Sequence, residues 1–184
     1  VREAKAAAKQ DGLGFRVMFQ DEARFGRMSR PFYAWAPYPL RPLVDVAIVR
    51  EFQYVYGAVS PSNGECVFMR CDKMNTERMG EHLSMISTEH PDELVLLVVD
   101  NASSHKAKGL DIPDNIRLCP LPPYSPELNP QEQVWKKMRA FFANRIFSTM
   151  EKCVEHIDNG IARLGQAADE VKQLTNWSWI KVSS

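Results

Sequence analysis

The sequence is poor in the features that announce many protein classes. Its four cysteines, Cys66, Cys71, Cys119 and Cys153, form no C-x-x-C pair. Their spacing suits neither a zinc module nor a disulfide framework, so they are expected to be reduced core thiols of an intracellular protein. Net charge is absent too, with 23 Lys and Arg against 23 Asp and Glu. That excludes a histone-like protein that holds polyanions by bulk charge, but leaves room for a local basic groove. The longest apolar run, Leu94 to Val99, is far too short to span a bilayer. No basic-then-apolar segment opens the chain. A glycine-rich phosphate loop is also missing, which counts against a small-molecule α/β enzyme. There is no internal repeat and no low-complexity tract.

What is present is the composition of one soluble globular domain. The 184 residues are 45% apolar and 25% charged, enough to build a core. Residues 1–9 read as a helix already under way, as in a piece cut from a longer chain. Phe15, Val17, Phe19, Ala23 and Phe25 alternate with Arg16, Met18, Gln20, Glu22 and Arg24, the period of a half-buried strand. Further strands are predicted at 43–50, 52–59 and 66–70, with a turn at Pro61–Gly64. These suggest an antiparallel meander. A helix capped by Asn75 is predicted to run to about Thr88, burying Met79, Leu83 and Ile86. Leu94 to Val99 is apolar at every position, as in a strand covered on both faces. A short strand is expected at 116–119, followed by a proline loop over 120–130.

A second helical region begins there. Asn129 is the expected cap and Pro130 the first helical residue, with Val134, Trp135, Met138, Phe141 and Phe142 inward as far as Ala143. Ser148 and Glu151 match a capping box for the next helix, whose core face is Val154, Ile157, Ile161 and Leu164. Strands, helix, central strand, short strand and helices in that order predict an α/β fold with a mixed sheet flanked by helices.

Three carboxylates stand out. Strand parity puts Asp21 on the face of Phe15, Val17 and Phe19, where an unpaired carboxylate is costly and a metal ion is one compensation. The alternative is a strand ending at Gln20, with Asp21 in a turn. Glu22 falls on the opposite face, where it could simply point to solvent. Asp100 directly follows the buried strand, where ligands gather in open α/β sheets; it also reads as a turn former with Asn101. Glu132 either completes a cap with Asn129 or projects into a cleft, sharing its helix face with Lys136 and Arg139. Two carboxylates from strands and one from a helix suit hard divalent cations. A pair of Mg²⁺ ions about 3.5–4 Å apart stabilises both the attacking and leaving oxygens of phosphoryl transfer.

The surrounding wording carries a resemblance. Phe19-Gln20-Asp21-Glu22-Ala23-Arg24-Phe25-Gly26, Val98-Val99-Asp100-Asn101-Ala102-Ser103-Ser104-His105-Lys106 and the run from Leu121 to Trp135 (LPPYSPELNPQEQVW) resemble, in order, the three catalytic motifs of insertion-sequence transposases related to the mariner superfamily. The resemblance implies an RNase H-like, retroviral-integrase-like fold. It implies an aspartate-aspartate-glutamate (DDE) triad carried onto Asp21, Asp100 and Glu132 as catalytic and metal-binding residues. Glu127 is a rival third acid, but the family places that acid after the Asn-Pro. The spacing of 31 residues between Asp100 and Glu132 is slightly tighter than in the mariner branch.

The resemblance also implies cofactors and partners. Two Mg²⁺ or Mn²⁺ ions would serve cleavage of DNA at a transposon end and transfer of the freed 3′-hydroxyl into target DNA at a TA step. Partners would be terminal inverted repeats and target DNA, with a homodimer in the full-length protein and no membrane. The location would be the bacterial cytoplasm and nucleoid. The expected division is a remnant helix or linker over 1–14 and the catalytic domain over 15–184, without the helix-turn-helix region of such transposases.

Arg24, Lys106, Lys136 and Arg139 are the expected DNA contacts, because basic residues cluster around the first and third acids. Asn101 and His105 are candidates for orienting substrate. Tyr33 and Trp35 are expected to pack, and His82, His90 and His156 receive no role. Two alternatives stay open: a domesticated or truncated non-catalytic DNA-binding or interaction domain, and an RNase H-like endonuclease without strand transfer.

Overall fold

A computed structural model describes residues 1–29, 31–33, 35–100, 109–123 and 125–183. The candidates Asn101, His105 and Lys106 lie outside the described residues. Helix α1 (Arg2–Gln10) leads into a long strand, β1 (Gly14–Met28). Strand β2 (Ile48–Ser60) and β3 (Glu65–Cys71) follow, then helix α2 (Thr76–Glu89), β4 (Glu93–Val99) and β5 (Ile116–Pro120). A 3₁₀ turn at Pro126–Leu128 precedes α3 (Gln131–Phe141), α4 (Met150–Gly165), α5 (Ala168–Thr175) and α6 (Ser178–Ser183).

The five strands form one mixed sheet in the order β3-β2-β1-β4-β5. β1, β2 and β3 are an antiparallel meander, while β4 pairs parallel with both β1 and β5. The alternation in β1 divides its side chains between two cores. Phe19, Ala23 and Phe25 join Val134, Trp135, Met138, Ile157 and Leu164 under α3 and α4. Met18 joins Tyr56, Met79, Leu83, Ile86, Val95 and Leu97 under α2. Because β4 is covered on both faces, its residues Leu94 to Val99 are all buried.

Several predicted elements differ in detail. Residues 43–47 are not strand; the two expected strands at 43–50 and 52–59 are one strand whose first residues hydrogen-bond to the far end of β1. Tyr33 and Trp35 do not pack: they are 96% and 104% exposed. The prolines of this connection, at 31, 37, 39 and 42, remove ladder donors and hold it off the sheet. Helix α4 is capped by Thr149, not Ser148, through a hydrogen bond from the Lys152 amide. The cap at Asn75 is as expected, with Oδ1 accepting from the Arg78 amide. Helix α3 stops at Phe141, leaving Phe141 and Phe142 half-buried.

Candidate active site

Parallel pairing sets the first two acids side by side. The β1–β4 register runs to Phe19 opposite Val98, and Asp21 and Asp100 each lie two residues beyond. Asp21 is inside the strand, opposite Gly57 of β2, so it is not a turn residue. Its side chain belongs to the α3 face: the Trp135 indole Nε1–H donates to Asp21 Oδ2 at 3.0 Å. Trp135 is fully buried and makes tilted or edge contacts with Phe25 and Phe68, at centroid distances of 6.0 and 5.9 Å.

Asn129 fixes the start of α3 against the same strand. Its Nδ2 donates to the Gln20 carbonyl at 2.9 Å, and its Oδ1 accepts from the Gln131 amide. Glycine is required at 57 for this approach. A Cβ there would lie 2.6 Å from both Gln131 Nε2 and Trp135 Cη2. Glu132, on the first turn of α3, is close enough to Asp21 for its charge to raise that carboxyl. It also faces Arg139, whose Nη1 is 3.6 Å from Oε2.

The electrostatics report this convergence. The Asp21 carboxyl is pushed up to about 7, first by burial, then by the charges of Glu132, Glu22 and Asp100, against a backbone hydrogen bond that lowers it. Glu127 is exposed in the 3₁₀ turn and is not among these charges. Glu22 lies on the opposite face, half-buried next to Tyr56 in the strand pairing. Burial, and then Glu22, raise the Tyr56 phenol to about 12.

Two clefts run along α3, and Lys136 lines both. One of about 770 Å³ is lined by Glu127, Glu132, Gln133, Lys136, Trp177 and Trp179. The other, about 680 Å³, has Glu22, Arg24, Lys136 and Arg139 on its walls together with Phe32 and Phe52. The Arg24 guanidinium stacks over the Phe52 ring at 4.3 Å. Three of the four expected DNA contacts thus share one groove beside Glu132. The wider basic cluster is not continuous. Arg16 pairs with Glu65 and Glu93 at the other end of the sheet, Arg27 with Glu51, and Lys137 with Glu170.

The role of Trp135 escapes the sequence reading, which makes it a core residue only. The signal is complementary need: a buried indole N–H seeks an acceptor, and a buried carboxylate seeks a donor. Trp177 and Trp179 at the cleft wall carry no comparable sequence signal.

A mixed five-stranded sheet in the order β3-β2-β1-β4-β5, with helices on both faces, has the RNase H-like fold. The model of the DDE superfamily endonuclease family matches residues 16–153, and the chain belongs to that family. It is 42% identical over 105 residues to the uncharacterized protein y4pE/y4sA of Sinorhizobium fredii (strain NBRC 101917 / NGR234), covering 56% of this chain and 78% of that protein. The fold is similar to a Mos1 transposase paired-end complex with the left transposon end, with a TM-score of 0.59 and 14% identity over 96% of this chain and 60% of that one. It is also similar to a Mos1 mariner paired-end complex with Mn, at a TM-score of 0.57 and 15% identity, covering 96% of this chain and 61% of the other. The chain thus spans about 60% of the Mos1 chain.

Proposed function

We propose that this chain is the catalytic domain of a transposase that cleaves DNA at transposon ends and joins the freed 3′-hydroxyl to target DNA. Asp21, Asp100 and Glu132 are its catalytic carboxylates. The observation that carries the reading is the placement of Asp21 and Asp100 two residues beyond the last β1–β4 pair, where burial first, and then the charges of Glu132, Glu22 and Asp100, lift the Asp21 carboxyl to about 7. A divalent cation fits this donor set: hard oxygens, several like charges, and an open cleft beside Glu132. Asp21, Asp100 and Glu132 would hold Mg²⁺ or Mn²⁺, two ions by resemblance to the family. When bound, the metal supplies Lewis acidity that stabilises the attacking and leaving oxygens of phosphoryl transfer. The Mn in a solved Mos1 complex agrees with this choice of ion.

The chain's own groups do the positioning. Trp135 holds the Asp21 carboxylate through Oδ2, which accepts the indole N–H. Arg139 holds Glu132 from two helical turns further along. Arg24, Lys136 and Arg139 line the groove where a phosphate backbone would lie. The partners in this reading are transposon-end and target DNA, and the complete protein would act as a homodimer on paired ends.

The test is incubation with end-labelled DNA in Mg²⁺ or Mn²⁺, with cleaved and joined products resolved on a denaturing gel. Cleaved and joined products, both lost in Asp100→Asn, are expected. Cleavage without joining would reassign the chain as an endonuclease. DNA binding with neither product would make it a non-catalytic domain.

A further inference from the structure

A second cluster of ligating side chains lies at the opposite end of the sheet. Glu93 begins β4 and Asp100 follows its end, so the two ends are separated by roughly 20 Å at about 3.3 Å per residue. Glu65 begins β3, Glu89 is the last residue of α2, and His90 is its C-cap. One ligand atom from each of Glu65, Glu89 and His90 lies within 4.8 Å of the other two.

The imidazole is the informative member. The His90 side chain is only 4% exposed, and its Nε2 is buried without a hydrogen-bond partner. That nitrogen is directed at Glu65, 3.6 Å from Oε1. Its other nitrogen, Nδ1, lies 3.3 Å from Glu93 Oε2. A carboxylate on one ring nitrogen and an open second nitrogen is the arrangement that orients metal-binding histidines. Arg16 secures both carboxylates, donating from Nε to Glu93 and from Nη1 to Glu65 Oε2 at 2.7 Å. Asn115 pins the turn by donating to the carbonyls of His90 and Glu93.

Charge points the same way. Glu65, Glu89 and Glu93 bring three carboxylates around the imidazole, with Arg16 bonded to two of them. The C-terminal end of α2, where a cation is favoured, has no basic residue in its last turn. Nitrogen and carboxylate donors together favour zinc over magnesium, which requires near-octahedral oxygen coordination.

We propose that Glu65, Glu89 and His90 bind a divalent transition-metal ion of the zinc class, oriented by Glu93 and clamping the end of α2 to the start of β3. This site is independent of the acids around Asp21. The test uses the whole chain carrying Asp21→Asn, Asp100→Asn and Glu132→Gln, which removes the three carboxylates of the candidate active site. Zn²⁺ binding is measured by calorimetry, and Co²⁺ binding by visible absorption. One Zn²⁺ per chain is expected, together with Co²⁺ bands and a zinc-dependent rise in the thermal midpoint. His90→Gln and Glu89→Gln should each weaken binding at least tenfold. Glu89 is exposed, so its variant keeps the fold even if His90→Gln does not. No saturable zinc binding in the background protein, or affinity unchanged in Glu89→Gln, would overturn the proposal.

Discussion

Trp135 donates its indole proton to Asp21 Oδ2 at 3.0 Å across the boundary between α3 and the sheet. The helix that carries Glu132 therefore also holds the Asp21 carboxylate. Trp135→Phe keeps the ring packed against Phe25 and Phe68 but removes the donor. A buried acceptor left unpaired costs about 1–3 kcal/mol, read as a lower denaturation midpoint. Misplacing Asp21 should lower the cleavage rate roughly tenfold to a hundredfold. Apparent affinity for DNA should change little, because the indole is not on the groove.

Gly57 tests the same relationship from the other strand. Gly57→Ala puts a methyl 2.6 Å from the Trp135 ring and from Gln131 Nε2. Both neighbours are fully buried and have no free direction to retreat. Overpacking of this kind costs typically about 1–3 kcal/mol. Urea denaturation should show that loss, and metal-dependent cleavage should fall with it as the indole leaves Asp21.

Acid stability reports on the opposite face. His82, on α2, is fully buried against the sheet, with Nε2 3.2 Å from the Val67 carbonyl. Burial lowers its pKa from 6.5 to about 4, overriding the raising effects of that carbonyl and of Glu22. Between those values the unfolded chain binds the extra proton and the folded chain does not, so stability rises with pH across the window. The contribution is complete above about 6.5 and is lost as pH falls toward 4, roughly 3 kcal/mol in all. His82→Gln keeps a donor for Val67 and removes the titration. Denaturant unfolding between pH 4 and 7 should show a shallower acid limb in the variant than in the wild type.

Much of this fold is legible because its signals are local. The alternation of Phe15 to Phe25 assigns Asp21 to the helix-covered face, and that face meets α3. The apolar run Leu94 to Val99 announces a strand covered twice, which places Asp100 at a sheet's end. Asn129 announces a helix start, though it does more than cap: its amide also binds the Gln20 carbonyl 109 residues away. Long-range choices are where the reading stops. Val44 and Val46 look like strand residues, but the prolines around them and the register of β2 against β1 leave them outside the sheet. Arg16 reads as part of a basic cluster near the acids, yet parallel pairing brings it beside Glu93 and Glu65. Nothing in the local pattern of Glu65 or His90 says that they meet.

The claim that Asp21, Asp100 and Glu132 act as one site is tested most directly by Mn²⁺ calorimetry on the wild type and on Asp21→Asn, Asp100→Asn and Glu132→Gln, with and without DNA. This requires no knowledge of the terminal-repeat sequence. The account predicts saturable binding that each substitution weakens at least tenfold, because each removes a ligand from the same ion pair. Isotherms of all three variants that superimpose on the wild type, even with DNA present, would contradict it.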